Sequence, residues 1–497
     1  MSTSQPASAA RDARGVLVNV AGLIAQAALP AFHVQLARFL GAGGYGLYTW
    51  SSSVVDVLSV VTLFGLDQAV IRQVSLRGEG SPRAVGTALR VVVLSGLAVF
   101  VAIWLGAPAI AALQGKPGLI APLRWLALVP LFYHVSTIFL VATQALAVMR
   151  WAFWARSVVQ PLVLLASTGA VLRAGSGAGG AAAAVVAGMA ATALVSAVAY
   201  GRELPLGETL RMAVRGRLDG ETLRVAFPLV FANLLWAILA RVDVFVLGHY
   251  RAEAELGAYA ACALYAASIS QIRSAFDPVT TAGVAPALAR GDAAGLSAAV
   301  RRQTLWLALA AFPLLVLFAG FGEPLLAVFG KGFRGAELAL AVLAVGHTMN
   351  ALALASFALP LSGNGRYTTY VAAGALAFEV ALCLLLVPRY GALGAALAFA
   401  VGVGGAQIVQ MLLAWRVVGV QGVSARLLGV LGCAALALGV GRAVYAAVPA
   451  ALAPRFFAGV GASAIVYAVA VWAVALREDE RALARGAFER LRARFAR

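Results

Sequence analysis

The sequence predicts an all-α polytopic membrane protein with about 14 transmembrane helices, arranged as two six-helix repeat lobes followed by two C-terminal helices. Apolar residues make up 62% of the 497 residues and charged residues only 12%. The mean hydropathy is +0.91, which lies outside the range of soluble domains. The second half of the chain also repeats the first, roughly 216 residues later.

The predicted spans follow one another closely, and each is apolar over the roughly 20 residues that cross a bilayer. They cover residues 16–40, 46–70, 86–113, 119–146, 152–173, 178–200, 225–249, 256–285, 304–329, 336–362, 367–388, 392–415, 424–448 and 454–476. The expected organisation is an N-terminal lobe (1–200), a cytoplasmic amphipathic linker (201–224), a C-terminal lobe (225–416), helices 13 and 14 (417–476) and a basic cytoplasmic tail (477–497). Gly43 to Gly46 is expected to form the turn between spans one and two.

The repeat is clearest in two pairs of segments. RAGSGAGGAAAAV, starting at Arg173, matches RYGALGAALAFAV, starting at Arg389. LGAPAIAALQGK, starting at Leu105, matches FGEPLLAVFGK, starting at Phe321. A duplicated bundle with a cleft between its halves is the usual plan of a secondary transporter. The repeat therefore indicates transport by rocking one half against the other.

The positive charge has a topological explanation. The chain carries 38 Lys and Arg against 20 Asp and Glu, a net charge of +18. With the amino terminus inside, roughly 26 of the basic residues fall in terminal segments and cytoplasmic loops, as the positive-inside rule requires. We therefore expect anionic membrane lipids as partners, no nucleic acid, and both termini in the cytoplasm.

Short motifs of enzyme and cofactor sites are missing from the sequence. There is no GxxxxGK[ST] phosphate loop, no dinucleotide-binding turn with an acidic partner and no HExxH motif. We expect no cofactor, no metal and no catalytic residue, and the chemistry must lie on polar residues within the spans.

Helix eight carries the most continuous polar face. Its members follow the spacing i, i+3, i+4 and i+7, which places them on one side of a helix: Ser270, Arg273, Ser274 and Asp277. One interpretation is the wall of a cavity. The alternative is a self-neutralising pair of Arg273 and Asp277 that serves helix packing.

Further polar residues lie on other spans. Helix one has Gln26 and His33 on one face and Arg38 near its outer end, and helix two has the deep carboxylate Asp56. Helix seven places Asn233 and Asp243 on one face and Arg241 on another, and helix eleven contains Glu379. A charge in hydrocarbon costs several kcal/mol unless it is paired or lines a cavity, so these positions are candidates for function.

Two long segments resemble the oligosaccharide flippases of bacterial cell-surface polysaccharide assembly. Leu36 to Ser75 is similar to their first hairpin, with a "LG…yG.Y" turn and "lG…a..R" at the end of helix two. Phe227 to Cys262 is similar to their junction of helices seven and eight, at Pro228, Asp243, Gly248, Gly257 and Tyr259. This family belongs to the multidrug/oligosaccharidyl-lipid/polysaccharide exporter superfamily.

The resemblance implies a carrier of undecaprenyl-pyrophosphate-linked oligosaccharide repeat units, in the bacterial inner membrane, for O-antigen, capsule or exopolysaccharide assembly. It also implies a central cavity bordered by helices one, two, seven and eight. A polysaccharide polymerase and chain-length machinery are the further partners that this function would involve.

Arginine suits a pyrophosphate headgroup, because guanidinium groups can replace its hydration. Arg273 and Arg241 are the first candidates, with Arg38 behind them. The polar residues expected in the cavity are Asn233, Ser270, Ser274, Gln26 and His33. The carboxylates expected to hold the arginines or bind a coupling cation are Asp56, Asp243, Asp277 and Glu379. Arg273→Ala is expected to abolish transport and leave the protein folded.

Three other functions are considered. A drug or cation antiporter of the same superfamily would favour carboxylates and aromatic residues over buried arginines. A membrane-embedded polysaccharide polymerase or ligase would need a large outer loop, and the loops here are short. A structural scaffold does not explain charges at this depth.

Overall fold

The computed structural model describes residues 5–77, 81–146, 148–449 and 451–475, and all regular secondary structure within these ranges is helical. The predicted all-α class is therefore confirmed. Side chains are described from Pro30 onward, apart from a few positions that lie mainly in two helices, over 220–239 and 253–289. The predicted tail over 477–497 lies outside the described residues.

The helices are numbered in chain order, with short 3-10 and π-helical segments between some of them. In the first half they are α1 (Gln5–Leu63), α2 (Leu66–Arg77), α3 (Pro82–Leu113), α4 (Ile120–Leu126), α5 (Val129–Ala145), α6 (Arg150–Ala152), α7 (Gln160–Arg173), α8 (Gly177–Glu203) and α9 (Leu206–Arg215). A 3-10 turn over Pro117–Leu119 precedes α4, and a π-helical segment over Phe153–Val159 joins α6 to α7.

The second half continues in the same manner. Its helices are α10 (Gly220–Leu239), α11 (Val242–Tyr250), α12 (Glu253–Ala289), α13 (Ala293–Gly320), α14 (Gly322–Ala327), α15 (Glu337–Leu352), α16 (Ala358–Leu361), α17 (Gly365–Tyr390), α18 (Ala392–Leu413), α19 (Ala425–Ala447) and α20 (Leu452–Ala470). Shorter segments are the 3-10 turns Lys331–Phe333 and Leu354–Phe357 and the π-helical segments Ala414–Val418 and Val471–Ala475.

The protein is a multi-pass membrane protein. Within the described residues, 10 helical segments are long and apolar enough to cross a membrane, or 11 if the bent pair Glu337–Leu352 and Leu354–Leu361 is one span. Pro30–Leu76 is one of these segments, although it covers part of predicted span one and span two. Predicted spans seven and eight include side chains outside the described part of the chain. The count of about 14 therefore stays a prediction.

The chain divides into two compact units. The first comprises Met1–Ala260 and Phe329–Phe333, and the second comprises Ala261–Val328 and Arg334–Arg497. The first unit thus contains the predicted linker and predicted helix seven in addition to helices one to six. The two repeat lobes are defined by the sequence repeat and not by these contacts, so their predicted boundaries stay a prediction.

Each unit has its own apolar packing. In the first unit, α2, α3, α5 and α8 meet through fully buried side chains that include Leu66, Val70, Val85, Phe139 and Tyr200. In the second, one buried cluster joins α13 to α19 through Phe312, Val316, Val430 and Ala434. Lipid tails are as apolar as these side chains, so van der Waals packing rather than expulsion of water holds such helices together.

The turn in the first hairpin lies at a different residue from the one expected. Gly43 to Gly46 are helical, and the chain instead bends at Gly41, whose φ of 66° and ψ of 178° are not helical. A positive φ is readily adopted only by glycine. The physical reason for the shift is that Gly46 is used for close helix packing rather than for a turn.

Several predicted spans are interrupted, and two of these breaks bear on the site. Span seven, expected to be continuous over 225–249, consists of α10 and α11, which are separated at Ala240 and Arg241. Span ten bends by 45° between α15 and the segment Leu354–Leu361. Broken helices leave backbone N–H and C=O groups without partners in their own helix, so these breaks need side chains to satisfy them.

The predicted linker contains the short helix α9, which packs on α3. Gly86 allows the approach, because a Cβ at this position would lie 2.8 Å from the Cβ of Met212. The guanidinium of Arg90 donates to the carbonyl oxygens of Ala213, Met212 (3.0 Å) and Gly216 (2.8 Å), at the carboxyl end of α9. Arg90 thus caps α9 and fixes it to the first unit.

Candidate functional site

An ion pair in the first unit joins the candidate span Pro30–Leu76 to the break between α10 and α11. The Nη2 atom of Arg241, at the break between α10 and α11, lies 2.9 Å from Oδ2 of Asp56 on α1. The side chains are 39% and 47% exposed. Pairing neutralises both charges at a depth where an isolated charge is costly. The exposure means that the pair is still open to a ligand.

A close helix contact places Asp56 opposite Arg241. A Cβ on Gly46 would overlap the carbonyl oxygen of Glu253 and lie 2.9 Å from the nitrogen of Gly257. In return, a Cβ on Gly257 would overlap the carbonyl oxygen of Ala42. Glycine is therefore needed on both sides. The contact aligns the second half of α1 with α11 and the start of α12.

The carboxyl end of α11 is capped by a lysine. The Nζ atom of Lys116 donates to the carbonyl oxygens of Gly248 (2.6 Å) and Arg251 (2.7 Å). A cation at the carboxyl end of a helix is favourable, because the helix dipole is negative there. Burial lowers the pKa of Lys116 from its usual range, and the charge of Glu253 acts in the opposite direction. Lys116 therefore holds α11 in place at the end away from Arg241.

The other candidates of the first unit have different surroundings. The Nδ1 atom of His33 lies 3.1 Å from the hydroxyl of Tyr45, so this histidine has a partner on its own helix. Arg38 and Asn233 are exposed. The side chain of Gln26 lies outside what the structure describes.

Asp243 is buried and has partners other than the arginine it was expected to hold. Its carboxylate accepts hydrogen bonds from the hydroxyl of Tyr259 and, at 2.8 Å, from the backbone N–H of Val244. Asp243 also lies in the first turn of α11, where a carboxylate is favoured by the helix dipole. These contacts join α11 to α12, so the geometry of Asp243 is that of a structural residue. Sequence reasoning noted Tyr259 only as part of a family motif and missed this contact.

In the second unit, Arg273 and Asp277 form the ion pair that their spacing predicts. Nε of Arg273 lies 3.2 Å from Oδ1 of Asp277, and the side chains are 14% and 35% exposed. Nη1 of Arg273 donates to the carbonyl oxygen of Asn350 at 2.7 Å, and the guanidinium lies 4.8 Å from the ring centre of Phe357. Arg273 therefore links the two sides of the break after α15. This geometry favours the packing interpretation over the cavity wall.

A hydrogen-bond network surrounds this arginine. Oγ of Ser270 lies 2.9 Å from Nδ1 of His347, and Nδ2 of Asn350 donates to the same oxygen at 3.2 Å. The side-chain oxygen of Asn350 accepts from Nε2 of Gln407 at 2.9 Å. The network joins α12, α15 and α18. Asn350 is its centre and was missed from the sequence, where the only signal is its place one helical turn after His347.

The two remaining candidates of the second unit, Ser274 and Glu379, differ in their exposure. Ser274 is exposed. Glu379 on α17 is fully buried. A Cβ on Gly402 of α18 would lie 2.6 Å from its Oε2 atom, so Gly402 makes room for this carboxylate.

The two arginines that are the first candidates for binding phosphate differ in their exposure. Both arginines have a carboxylate partner, but Arg241 is far more exposed than Arg273 and makes fewer contacts to backbone. Guanidinium groups bind phosphate oxygens through paired N–H donors. Arg241 is therefore the better placed of the two to exchange its carboxylate for an anionic ligand.

Comparison with sequence families gives one match. Residues 13–291, more than half of the chain, match the family described as polysaccharide biosynthesis protein. Comparison with curated proteins gives no significant match.

Solved structures with a similar fold are transporters and flippases. A lipid II flippase, MurJ, in an inward closed conformation has a TM-score of 0.69 at 14% identity, covering 92% of this chain and 98% of that one. An inward-facing multidrug resistance MATE family transporter of the MOP superfamily has a TM-score of 0.64 at 17% identity, covering 79% and 94%. A MOP superfamily transporter from Pyrococcus furiosus has a TM-score of 0.60 at 15% identity, covering 81% and 95%. The chain therefore belongs to the polysaccharide biosynthesis protein family and has the fold of the MOP superfamily.

Proposed function

We propose that this protein is a flippase that moves undecaprenyl-pyrophosphate-linked oligosaccharide repeat units from the inner to the outer leaflet of the bacterial cytoplasmic membrane. It works by alternating access, has both termini in the cytoplasm, and serves the assembly of O-antigen, capsule or exopolysaccharide. A polymerase and chain-length machinery act on the delivered units.

The observation that carries the proposal is the half-exposed ion pair of Arg241 and Asp56 in a chain of the polysaccharide biosynthesis family. A pyrophosphate headgroup carries at least two negative charges and loses its hydration in a low-dielectric core. Arg241 can replace that hydration with charge-assisted hydrogen bonds, each worth about 1.5–3 kcal/mol.

Asp56 allows the site to alternate between a substrate-free and a substrate-bound state. Without substrate, the carboxylate neutralises Arg241 across 2.9 Å. When pyrophosphate binds the guanidinium, Asp56 loses its partner and becomes the acceptor for a proton or another cation. The proposal thus assigns Arg241 to the headgroup and Asp56 to coupling. Glu379 is a second carboxylate for the coupling cation, and Arg38, His33 and Asn233 contact the sugar or phosphate.

The test is translocation in liposomes. The purified protein is reconstituted with a fluorescent undecaprenyl-pyrophosphate oligosaccharide, and protection from an external quencher is followed with time. Wild-type protein should translocate faster than empty vesicles, and Arg241→Ala should fall to the empty-vesicle rate. Arg124→Ala is the matched control, because Arg124 is only half-buried and lies over the Trp104 ring, 5.0 Å from its centre, away from the ion pair. Equal rates with and without wild-type protein would refute the flippase.

A second candidate function is a drug or cation antiporter, which the fold shared with a multidrug resistance MATE transporter favours. The same vesicles distinguish the two when loaded with ethidium under a sodium or proton gradient. Gradient-driven ethidium movement, with no translocation of the lipid, would replace the flippase by the antiporter.

A further inference from the structure

We propose that Arg156, on the π-helical segment between α6 and α7, is a second anion-binding residue of the first unit. It would receive the headgroup before Arg241 does, at the other end of a polar track through the unit. The inference rests on the proposed function and names a residue that the sequence did not single out.

The track is a series of polar contacts between three helical segments. Asp56 and Ser59 share a face of α1, because they are spaced i, i+3. Oγ of Ser59 lies 2.6 Å from Nε2 of His134 on α5. Thr137, one turn further along α5, accepts a hydrogen bond from Nη2 of Arg156 at 2.6 Å. Two hydrogen bonds, connected by steps of three residues along α1 and α5, thus lead from the Arg241–Asp56 pair to Arg156.

The direction of the track follows from helix geometry. Asp56 lies about 15 Å along α1 from the Gly46 contact, a distance of about half the thickness of a 30 Å bilayer core. Ser59 with His134, and then Thr137 with Arg156, each lie about 4.5 Å further from that contact. Arg156 is about 9 Å from the start of α6. In the proposed topology this is the cytoplasmic end, where the cargo enters.

Within the described part of the chain, Arg156 has no carboxylate as a counter-ion. Among the described residues, its contacts are the hydroxyl of Thr137 and the ring of Tyr133, whose centre lies 5.0 Å from the guanidinium carbon. Its Nε atom is buried and has no hydrogen-bond partner in the described part of the chain. Because a guanidinium has five N–H donors, most of its donor capacity is unused. An unpaired arginine inside a span is costly, which points to an anionic ligand.

The second unit provides a contrast. His347 in the second unit corresponds to His134, since each lies within hydrogen-bond distance of a serine hydroxyl, that of Ser270 and that of Ser59. Asn350 follows His347 by three residues, as Thr137 follows His134. The backbone carbonyl oxygen of Asn350 accepts from Arg273, which is also paired with the carboxylate of Asp277. Among the described residues, the arginine beside this histidine is therefore paired with a carboxylate in the second unit and has no carboxylate partner in the first. The π-helical turn is what presents Arg156, and such turns often mark functional sites.

The experiment measures binding of farnesyl pyrophosphate, and of uncharged farnesol, to the purified full-length protein by quenching of tryptophan fluorescence. We expect Arg156→Gln to weaken farnesyl pyrophosphate binding at least about tenfold, as the loss of a charge-assisted hydrogen bond requires. Arg156→Lys should retain part of the affinity, and farnesol binding should not change. Arg150→Gln is the matched control, since Arg150 is 65% exposed and paired with Glu203.

Each outcome decides the matter. Unchanged farnesyl pyrophosphate binding in a folded Arg156→Gln protein overturns the inference, and so does an equal loss of farnesol binding, which would mean a structural role. If Arg156→Gln does not fold, Arg156→Lys carries the test, and wild-type affinity in that variant overturns the inference. Wild-type translocation together with normal binding by the Arg156 variants refutes this inference alone. Failure of wild-type protein to translocate refutes the proposed function instead.

Discussion

Arg273 shows how a single side chain can hold a broken membrane helix together. Its guanidinium accounts for the carbonyl oxygen of Asn350 at the end of α15, the ring of Phe357 after the break, and the carboxylate of Asp277. The alternative to these contacts is an unsatisfied carbonyl group and an unpaired charge in hydrocarbon. At the scale of one residue, the contacts of Arg273 favour a packing role over a cavity wall.

This geometry changes what Arg273→Ala should do. The substitution should lower the free energy of unfolding by about 2–4 kcal/mol, because it leaves Asp277 without its arginine. Thermal unfolding in detergent, followed by tryptophan fluorescence, measures the change. Arg273→Met combined with Asp277→Leu should recover most of the stability, since it removes both charges. Loss of transport with an unchanged unfolding temperature would support the cavity-wall interpretation instead.

At the scale of elements, the short helix α9 ties the connection between α8 and α10 to the first unit. Arg90 caps its carboxyl end, and the hydroxyl of Tyr200 on α8 lies 2.8 Å from that of Thr209. A helix this short is marginal without tertiary contacts. Its order therefore depends on a few side chains of α3 and α8.

Arg90→Ala should release α9. The expected result is faster tryptic cleavage at Arg211 and Arg215, both exposed on α9, because proteolysis needs local unfolding. Arg83→Ala is the control, since Arg83 is exposed on the first turn of the same helix α3. The rate of appearance of the two fragments in detergent measures the effect, and equal rates in both variants would contradict the capping role.

The sequence predicted local features better than contacts between distant residues. The Arg273–Asp277 pair follows from i, i+4 spacing, whereas Arg241 and Asp56 are 185 residues apart and their meeting depends on helix packing. The break at Ala240 and Arg241 contains no glycine or proline that would have predicted it from the sequence. The sequence shows that Arg156 is an arginine in a span, but not that it lacks a carboxylate partner among the described residues, because that depends on which neighbours the fold supplies.

At the scale of the whole molecule, the repeat has left matching contacts in both halves. Ser59 with His134 and Ser270 with His347 occupy equivalent places in the two halves. Gly46-Leu47-Tyr48 and Gly257-Ala258-Tyr259 likewise stand at equivalent points of spans two and eight. Backbone packing and neutral hydrogen bonds are therefore shared between the halves, while the charged residues differ.

The glycine contact gives a prediction at this scale. Gly46→Ala should destabilise the protein by about 1–3 kcal/mol, because the added methyl group has no space against Glu253 and Gly257. Gly106→Ala is the control, since the atom nearest to its Cβ is 3.9 Å away. There the better helix propensity of alanine should raise stability by about 1 kcal/mol. Equal unfolding temperatures for the two variants would contradict the close contact.

The contact between Gly46 and Gly257 is reciprocal, since each glycine faces the backbone of the other and of the residue four positions before it. Reciprocity of this kind defines an isologous interface, in which one surface patch meets a copy of itself. A side chain added at either glycine would therefore displace the backbone beside the other, so the two positions are constrained together rather than one at a time.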